Sequence, residues 1–359
     1  MANKPRKQQA KPTLAQVARA AGVSNTTASY VVNGLAAARH ISEATAEHVQ
    51  AVAALMNYRP NRWAQNLVSK RTRTIGALYG NLRNDWADRS SSGMRKVLDA
   101  AGYLLFLTTH RLDAAVEKQE IDTLLQLQVE AIICPGLPDG LPAYQSILSQ
   151  GIPLVFLETK AENMPEVSSV AWDGEHAAYA GVRHLVETGC RRIAFLGRDY
   201  PGGTPSERYM PWHHMVRHNG YVLALEEEGL SPDESHKACF LLDEPVQEKV
   251  TRMFSGARPP DAIFATLDML ALEAIQVLRD MGLRVPEDVA VAGMGDQPAG
   301  GELGAGLTTV RGPDELLGKH AAEVALQLIE DKSTGPIHRL IDANEVVVRR
   351  TSVPSPTPR

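Results

Sequence analysis

The sequence predicts an α/β protein in which a small all-helical head precedes a long body built on parallel β-sheets. From Thr74 onward, short continuous apolar runs alternate with amphipathic stretches, the pattern of parallel strands joined by helical crossovers. Residues 13–34 carry instead the spacing of two short helices around a glycine turn. Of the 37 Lys and Arg and 42 Asp and Glu, residues 1–73 hold eleven and two, a formal +9, which leaves 26 and 40, a formal −14, for the rest.

The composition is that of a globular protein, with 44% apolar and 22% charged residues in a chain of 359. No apolar run approaches the roughly 20 residues that cross a bilayer, and the basic N-terminus precedes no apolar segment. We therefore expect neither a membrane span nor a secretory signal. Cys134, Cys190 and Cys239 are scattered and lack metal-ligand spacing, which predicts buried thiols in a reducing cytoplasm.

Two short helices open the head. Thr13 and Ser24 can cap them, because each hydroxyl can accept an unpaired backbone N–H, and Gly22 and Gly34 can end them. Their apolar residues recur at helical spacing: Leu14, Val17, Ala18 and Ala21 in the first, and Ala28, Val31 and Val32 in the second. This spacing matches the helix-turn-helix unit, which lays its second helix in the DNA major groove. The alternative is a generic helical hairpin, and the basic charge of the head favours the DNA-binding unit.

A third helix completes the predicted head. After a loop over residues 35–41, Ser42 can cap a helix that extends to about Asn57, with an inner face of Ala46, Val49, Ala53 and Met56. Pro60 then breaks the chain, because the residue before a proline is pushed out of the α region. Residues 61–68 form a further predicted helix of about eight residues, which would be marginal on its own in water.

The head and several later segments resemble LacI/GalR-type bacterial transcription regulators. The resemblance rests on the following segments, and it extends from about residue 12 to 352: Leu14-Ala-Gln-Val-Ala, Ala21-Gly-Val-Ser24, Val31-Val-Asn33, Asn57-Tyr-Arg-Pro-Asn61, Ala64-Gln-Asn-Leu67, Leu307-Thr-Thr-Val310 and Val346-Val-Val-Arg349. It implies a disordered basic tail (1–11), a helix-turn-helix domain (12–60), a hinge helix and linker (61–73), an effector-binding and dimerisation domain (74–352) and a disordered tail (353–359).

The first residues of the second helix are those that reach base edges in a helix-turn-helix unit. Here these are Asn25, which can pair with adenine, and Thr26, which can contact a thymine methyl group. Members of the resembled family usually carry arginine where this chain has Tyr30, and tyrosine cannot replace its contacts to guanine. In that family a leucine at the place of Leu67 wedges into the minor groove, although Leu67 could instead pack on the body. The predicted DNA contacts are Thr13, Ser24, Asn25, Thr26, Thr27, Ser29, Tyr30, Asn33, Asn61, Arg62, Ala64 and Leu67.

The body repeats a strand–helix alternation. The predicted strands are Ile75–Tyr79, Leu104–Leu107, Ala131–Cys134, Leu154–Leu157, Ile193–Leu196, Ala262–Ala265 and Val289–Ala292. The predicted helices are Arg89–Ala101, Glu117–Gln128, Glu175–Thr188, Val216–Glu228, Pro245–Phe254, Asp268–Met281 and Asp314–Ile329. We expect residues 205–219 to form a loop. The resemblance implies a periplasmic-binding-protein-like body of two doubly wound parallel-sheet subdomains, about 74–172 and 173–296, with residues 297–352 serving both.

A ligand is expected in the cleft between the subdomains, at the carboxyl ends of the strands. The resemblance assigns the grip on the ligand to Arg217 and places aromatic side chains of Phe240 and Trp86 near it, although core packing is an equal alternative for both. His176, His213 and Asp296 fall at positions expected to line the same cleft. Asp268 is interpreted as a helix cap.

The cleft departs from sugar-binding relatives in its charges. Gly295 stands where they carry an aspartate, Leu267 where they carry an asparagine, and Gly312 where they carry another polar residue. Arg217 thus loses its expected carboxylate partner, and a buried cation without one is costly unless the ligand is negatively charged. This predicts an anionic effector such as a sugar acid or sugar phosphate. The alternative is that an acid from elsewhere in the chain supplies the charge and that the ligand is a neutral sugar.

These observations predict a cytoplasmic, nucleoid-associated homodimer that binds palindromic operator DNA, most often as a repressor, under the control of a small-molecule effector. No glycine-rich nucleotide loop, nucleophile elbow or zinc-protease motif occurs, so we expect no enzyme, cofactor or metal. The neighbouring His213 and His214 would point in different directions on a helix and form no metal pair. A binding protein whose head contacts other proteins, or a metabolic enzyme, are the alternatives.

Overall fold

The computed structural model forms two compact units, a head (Met1–Thr72) and a body (Arg73–Arg359). It describes residues 12–59, 71–82, 85–136, 141–160, 164–201, 208–209, 211–241, 244–301, 303–331 and 333–353. Most of the predicted hinge segment and nearly all of the two predicted tails therefore lie outside the described residues.

Three α-helices lie in the described part of the head, as predicted: α1 (Leu14–Ala20), α2 (Asn25–Val32) and α3 (Glu43–Leu55). Gly22 (φ 66°) and Gly34 (φ 73°) adopt the left-handed conformation in which glycine carries no Cβ penalty. The buried core of the head draws on all three helices and consists of Val17, Ala18, Ala21, Ala28, Val31, Val49 and Ala53. The segment predicted as a loop contains one 3₁₀ turn, Ala37–Arg39.

One six-stranded parallel sheet forms the first lobe of the body, with the strand order β13-β5-β4-β3-β1-β2. Its strands are β1 (Thr74–Tyr79), β2 (Leu104–Thr109), β3 (Ala131–Cys134), β4 (Leu154–Leu157), β5 (Ser168–Trp172) and β13 (His338–Ile341). The helices of this lobe are α4 (Asp85–Ala100), α5 (Ala114–Gln126), α6 (Leu141–Ser149) and α11 (Asp314–Glu330).

A second six-stranded sheet forms the other lobe, with the order β14-β12-β11-β10-β6-β9. Among these described strands, only β14 runs antiparallel to its neighbour. Its strands are β6 (Ile193–Arg198), β9 (Lys237–Phe240), β10 (Ala262–Ala265), β11 (Ala290–Gly295), β12 (Thr308–Arg311) and β14 (Val346–Val347). The helices are α7 (Gly174–Glu187), α8 (Trp212–Glu227), α9 (Gln247–Phe254) and α10 (Asp268–Asp280), and a short hairpin pairs β7 (Tyr200–Pro201) with β8 (Arg208–Tyr209).

Crossover segments between the lobes lie side by side and are hydrogen-bonded to one another. The chain passes to the second lobe after β5, returns to the first lobe between β12 and α11, and passes to the second again between β13 and β14. The indole N–H of Trp172 donates to the carbonyl of Ala343 (2.7 Å), and the backbone N–H of Arg311 donates to the carbonyl of Glu345 (2.9 Å). The crossovers therefore link the two sheets into one body.

The main correction to the predicted elements concerns residues 205–219, where helix α8 already begins at Trp212. The apolar pattern did not predict its first turns, because His214 and Arg217 form the buried face there instead of aliphatic residues. The predicted elements also lack strands β5, β9, β12, β13 and β14, the β7–β8 hairpin and helix α6. The missed strands have at most five residues, and most of them contain polar or charged residues.

Two further expectations concern the burial of the cysteines and the absence of a membrane span. Cys134 is buried as predicted, whereas Cys190 and Cys239 are only partly buried. Among the described residues, no helix is both long and apolar enough to cross a membrane.

Candidate functional site

The exposed face of α2 is the candidate DNA-reading surface. Ser24 caps the helix by accepting the backbone N–H of Thr27 (3.0 Å), and Thr13 caps α1 by accepting that of Gln16 (3.3 Å). The side chains at helical spacing on the side away from buried Ala28 are Thr26, Ser29, Tyr30 and Asn33, with exposed Asn25 at the start of the helix. The predicted contacts Asn61, Arg62, Ala64 and Leu67 lie outside the described residues.

In the body, a buried ion pair joins the two lobes at the carboxyl ends of their strands. Arg217 of α8 is 5% exposed and donates to Glu158 Oε2 (3.4 Å), the residue that follows β4 of the first lobe. Its other Nη donates to the carbonyl of Thr266 (2.9 Å), and its guanidinium carbon lies 5.2 Å from the centre of the Trp172 ring. The guanidinium therefore contacts two side chains of the first lobe and a backbone carbonyl of the second lobe.

Glu158 corrects the expectation that Arg217 lacks a carboxylate partner. The Glu158 carboxylate is 6% exposed, and it also accepts the backbone N–H of Trp172 (2.7 Å). Burial raises the pKa of Glu158 to about 7, while the Arg217 charge and the Trp172 N–H oppose that rise. The acid from elsewhere in the chain, which was the alternative, is thus present. The premise of an anionic effector is lost.

Asp296, a predicted ligand residue, forms ion pairs within its own lobe. Its two carboxylate oxygens accept from Arg349 Nη2 (2.6 Å) and Arg311 Nε (2.9 Å). Burial alone would raise its pKa, but these two guanidinium groups hold the pKa of Asp296 below its ordinary value. The backbone carbonyl of Asp296 accepts from Arg89 of the first lobe (2.8 Å), so this residue contributes a second link between the lobes.

Asp268 is not the helix cap that the sequence indicated. It is the first residue of α10, and the capping position belongs to Leu267, whose side chain makes no cap. The Asp268 carboxylate accepts from the Thr309 hydroxyl (2.6 Å) and from the backbone N–H of Gln297 (2.7 Å). Burial raises the pKa of Asp268 to a net value of about 6, although these two hydrogen bonds oppose the rise. Gly293 is required beside it, because a Cβ there would lie 2.3 Å from Asp268 Oδ1.

The predicted histidines occupy different places. The rings of His213 and His214 lie 4.5 Å apart, so they do not point away from each other as expected. His214 shares a hydrogen bond with the Thr266 hydroxyl (2.8 Å), next to Arg217. Burial lowers the pKa of His213 to about 3 and that of His214 well below its ordinary range, which favours the neutral form of both rings.

His176 is exposed at the start of α7, among the crossover segments. Its ring lies 2.9 Å from Asp342 Oδ1 and contacts the amide of Asn344. Donor atoms of Asp173, His176 and Asp342 lie within 4.8 Å of one another, the one group of potential metal ligands of this kind in the part of the chain that the structure describes. Two of its three members are exposed.

The two predicted aromatic residues are packed against other side chains. Phe240 is fully buried in the core of the second lobe, with the Lys249 ammonium 4.8 Å from its ring centre. Trp86, in the first turn of α4, is partly buried and meets the Tyr79 ring edge-on at 5.2 Å. The sequence analysis identified neither Glu158 nor Trp172 as a site residue. Trp172 ends β5 and Glu158 follows β4, so both lie at the carboxyl edge of the sheet, where ligands bind in open α/β folds.

Comparison with known proteins identifies the family. Residues 13–61 match the model described as "Bacterial regulatory proteins, lacI family", and residues 182–352 match a periplasmic binding protein-like domain. The HTH-type transcriptional regulator CelR of Thermobifida fusca is 31% identical over 353 residues, which cover 95% of this chain and 98% of that protein. The chain belongs to the LacI family. It is a DNA-binding transcription regulator with an effector-binding body.

Solved LacI-family structures share the fold over nearly the whole chain. The lac repressor dimer bound to operator and the anti-inducer ONPF is 26% identical, with a TM-score of 0.79 and coverage of 96% of this chain and 100% of that one. The complex of the regulator CelR with cellobiose is 28% identical, with a TM-score of 0.69 and coverage of 95% and 99%. The predicted fold of a helix-turn-helix head and two parallel-sheet subdomains is confirmed.

Proposed function

We propose that this regulator is a homodimeric repressor whose affinity for a palindromic operator is set by a neutral, hydroxyl-rich ligand of the sugar class. The carrying observation is the buried Glu158–Arg217 pair, to which each lobe contributes one charge. The CelR structure, which contains cellobiose, supports the sugar class, and the lac repressor dimer supports the assembly. DNA-binding residues are proposed on the exposed face of α2 and in the hinge segment, at the positions predicted from the sequence.

The charges around Arg217 favour a neutral ligand over an anion. An anionic ligand that took over Arg217 would leave the buried Glu158 without its cation. Glu158 would then have to take up a proton or remain an unpaired buried charge, and either change costs free energy. The carboxylate of Asp314, which also raises the pKa of Glu158, would add repulsion. Hydroxyl groups avoid this cost, because each can donate to Glu158 and accept from Arg217.

The proposed ligand residues are Arg217, Glu158 and Trp172, with Trp86, His176, His213 and Asp296 retained as candidates that the sequence indicated. Phe240 remains a candidate only as support beneath the site, since its ring is enclosed by the core. A ligand between Glu158 and Arg217 would alter the relation of the two lobes. Operator and ligand would then affect each other's affinity by the same factor.

The proposal excludes catalysis and places the protein in the bacterial cytoplasm, where operator DNA is found. Its support is the kinship with transcription regulators. The alternative of a binding protein whose head contacts other proteins lacks such support.

Calorimetry with matched neutral and acidic sugars tests the effector class. Cellobiose and glucose should bind more tightly than cellobionate and gluconate, and Arg217→Met should abolish the binding of the neutral members. Asn219→Ala, an exposed change on the same helix, serves as the control. Tight binding of an acidic sugar that depends on Arg217, with no binding of its neutral counterpart, would contradict the proposal.

A further inference from the structure

The DNA-reading face of α2 carries no charged side chain of its own. Its members at helical spacing are Thr26, Ser29, Tyr30 and Asn33, and Asn25 precedes them. Asparagine can pair with adenine and threonine can contact a thymine methyl group, but guanine is read best by the paired donors of an arginine. A face built from these residues alone would therefore discriminate poorly at G·C pairs.

Arg39 supplies a guanidinium to this face from outside the helix. Its guanidinium carbon lies 4.9 Å from the centre of the Tyr30 ring, in cation–π geometry. The Arg39 side chain is exposed, and within the described residues no carboxylate forms an ion pair with it. Its planar fork is thus available to an acceptor beyond the protein surface.

Backbone hydrogen bonds hold Arg39 in register with Tyr30. The N–H of Leu35 donates to the carbonyl of Tyr30 (2.8 Å), and the N–H of Arg39 donates to the carbonyl of Leu35 (3.1 Å). The 3₁₀ turn that carries Arg39 is therefore tied to the last turns of α2. A guanidinium that is stacked on an aromatic ring and carried on an anchored turn loses less rotational freedom on binding than a free surface arginine.

We propose that Arg39 is a specificity-determining residue that reads a guanine in each operator half-site, and that Tyr30 is the positioning residue that holds its guanidinium. Arg39 would donate two parallel hydrogen bonds to guanine O6 and N7. Tyr30 thereby serves as the platform for an arginine supplied by the following turn.

The test compares four variants of the full-length protein with the wild type: Arg39→Ala, Tyr30→Leu, Tyr30→Phe and, as the matched control, Arg19→Ala. Arg19 is an exposed arginine of the head that lies on α1. Each protein selects its preferred site from a pool of random duplex DNA. Affinity is then measured by fluorescence anisotropy on the wild-type site and on all single base-pair changes of that site, at several salt concentrations.

Base reading and phosphate contact give different results. Arg39→Ala should lose discrimination of about 10-fold or more at one symmetric G·C pair in each half-site, with the other positions and the salt dependence unchanged. Tyr30→Phe, which keeps the ring, should retain that preference, whereas Tyr30→Leu should lose most of it. Arg19→Ala should keep the preferred sequence.

Three results would overturn the proposal. Arg39→Ala could select the same site with unchanged discrimination at every position. It could instead weaken binding equally on all sequences and lower the log–log salt slope by about one, which is the signature of a phosphate contact. Retention of the guanine preference by Tyr30→Leu would overturn the role of Tyr30. Circular dichroism of each variant shows whether the head remains folded, and Arg39→Ala, which changes an exposed side chain, decides the matter if Tyr30→Leu does not fold.

Discussion

The head and the body of this regulator place their proposed functional side chains in opposite environments. The reading face of the head lies on one exposed helix, and its members are close neighbours in sequence. The Glu158–Arg217 site of the body is almost fully buried, and its parts come from β4, β5, α8 and the end of β10. Under the proposed assignment, DNA recognition depends on exposed donors and net charge, whereas ligand recognition depends on a desolvated charge pair.

Removal of the head is the change with the largest expected effect. A protein that lacks residues 1–73 should lose operator binding altogether, because the formal +9 charge and the reading helix are lost together. Its body should remain folded and should bind the same ligands by calorimetry as the full chain. Electrophoretic shift of operator DNA by the truncated protein would contradict the assignment of DNA binding to the head.

Loss of one partner of the buried pair should give the largest effect within the body. Above pH 7, where Glu158 is ionised in the folded protein, Arg217→Met should lower the free energy of unfolding by up to about 3–5 kcal/mol, because it leaves the Glu158 carboxylate buried without its cation. Below pH 7 the loss should be smaller, since Glu158 then carries a proton. The double variant Glu158→Gln/Arg217→Met should be less destabilised than Arg217→Met alone. Urea unfolding of the two variants measures this difference, and equal losses would show that the charge pair is not what stabilises the site.

The same pair should make stability depend on pH. The pKa of Glu158 is raised to about 7, so the folded state binds its proton more tightly than the unfolded chain does. The proton on Glu158 therefore stabilises the folded state. This stabilisation is present in full below about pH 4.5 and is lost as the pH rises through 7, a change on the order of 3 kcal/mol in the free energy of unfolding.

Glu158→Gln is the matched variant for this measurement, because Asp268, whose pKa is also raised, titrates in both proteins and cancels in the comparison. The difference in unfolding free energy between wild type and variant should fall between pH 4.5 and 7.5. A constant difference over that range would show that Glu158 keeps an ordinary pKa.

The smallest expected effect lies in the head. Ser24→Ala removes the hydroxyl that accepts the Thr27 N–H, so it should cost about 1 kcal/mol of head stability. Affinity should fall by the same factor for every DNA site, since Ser24 positions the whole helix and does not read one base. An effect as large as that of Arg217→Met would break the contrast between an exposed head site and a buried body site.

These two regions also differ in how well the sequence predicted them. Helix periodicity, capping residues and glycine turns placed the three head helices, because each is a local signal between neighbouring residues. Strand–helix alternation predicted the sheets of the body, yet it missed the first turns of α8, where buried His214 and Arg217 replace aliphatic residues. The sequence did not predict Glu158 as a site residue, because its partner Arg217 is distant in the chain and no local pattern indicates that the two residues are in contact.

The most direct test of the coupling between the sites measures operator affinity and ligand affinity in one full-length protein. Cellobiose, the neutral probe, should change the operator dissociation constant by some factor, and operator DNA should change the cellobiose dissociation constant by the same factor. Both changes should vanish in Arg217→Met while operator binding itself persists. A factor that survives in Arg217→Met, or that cellobionate produces and cellobiose does not, would contradict the assignment of the effector site.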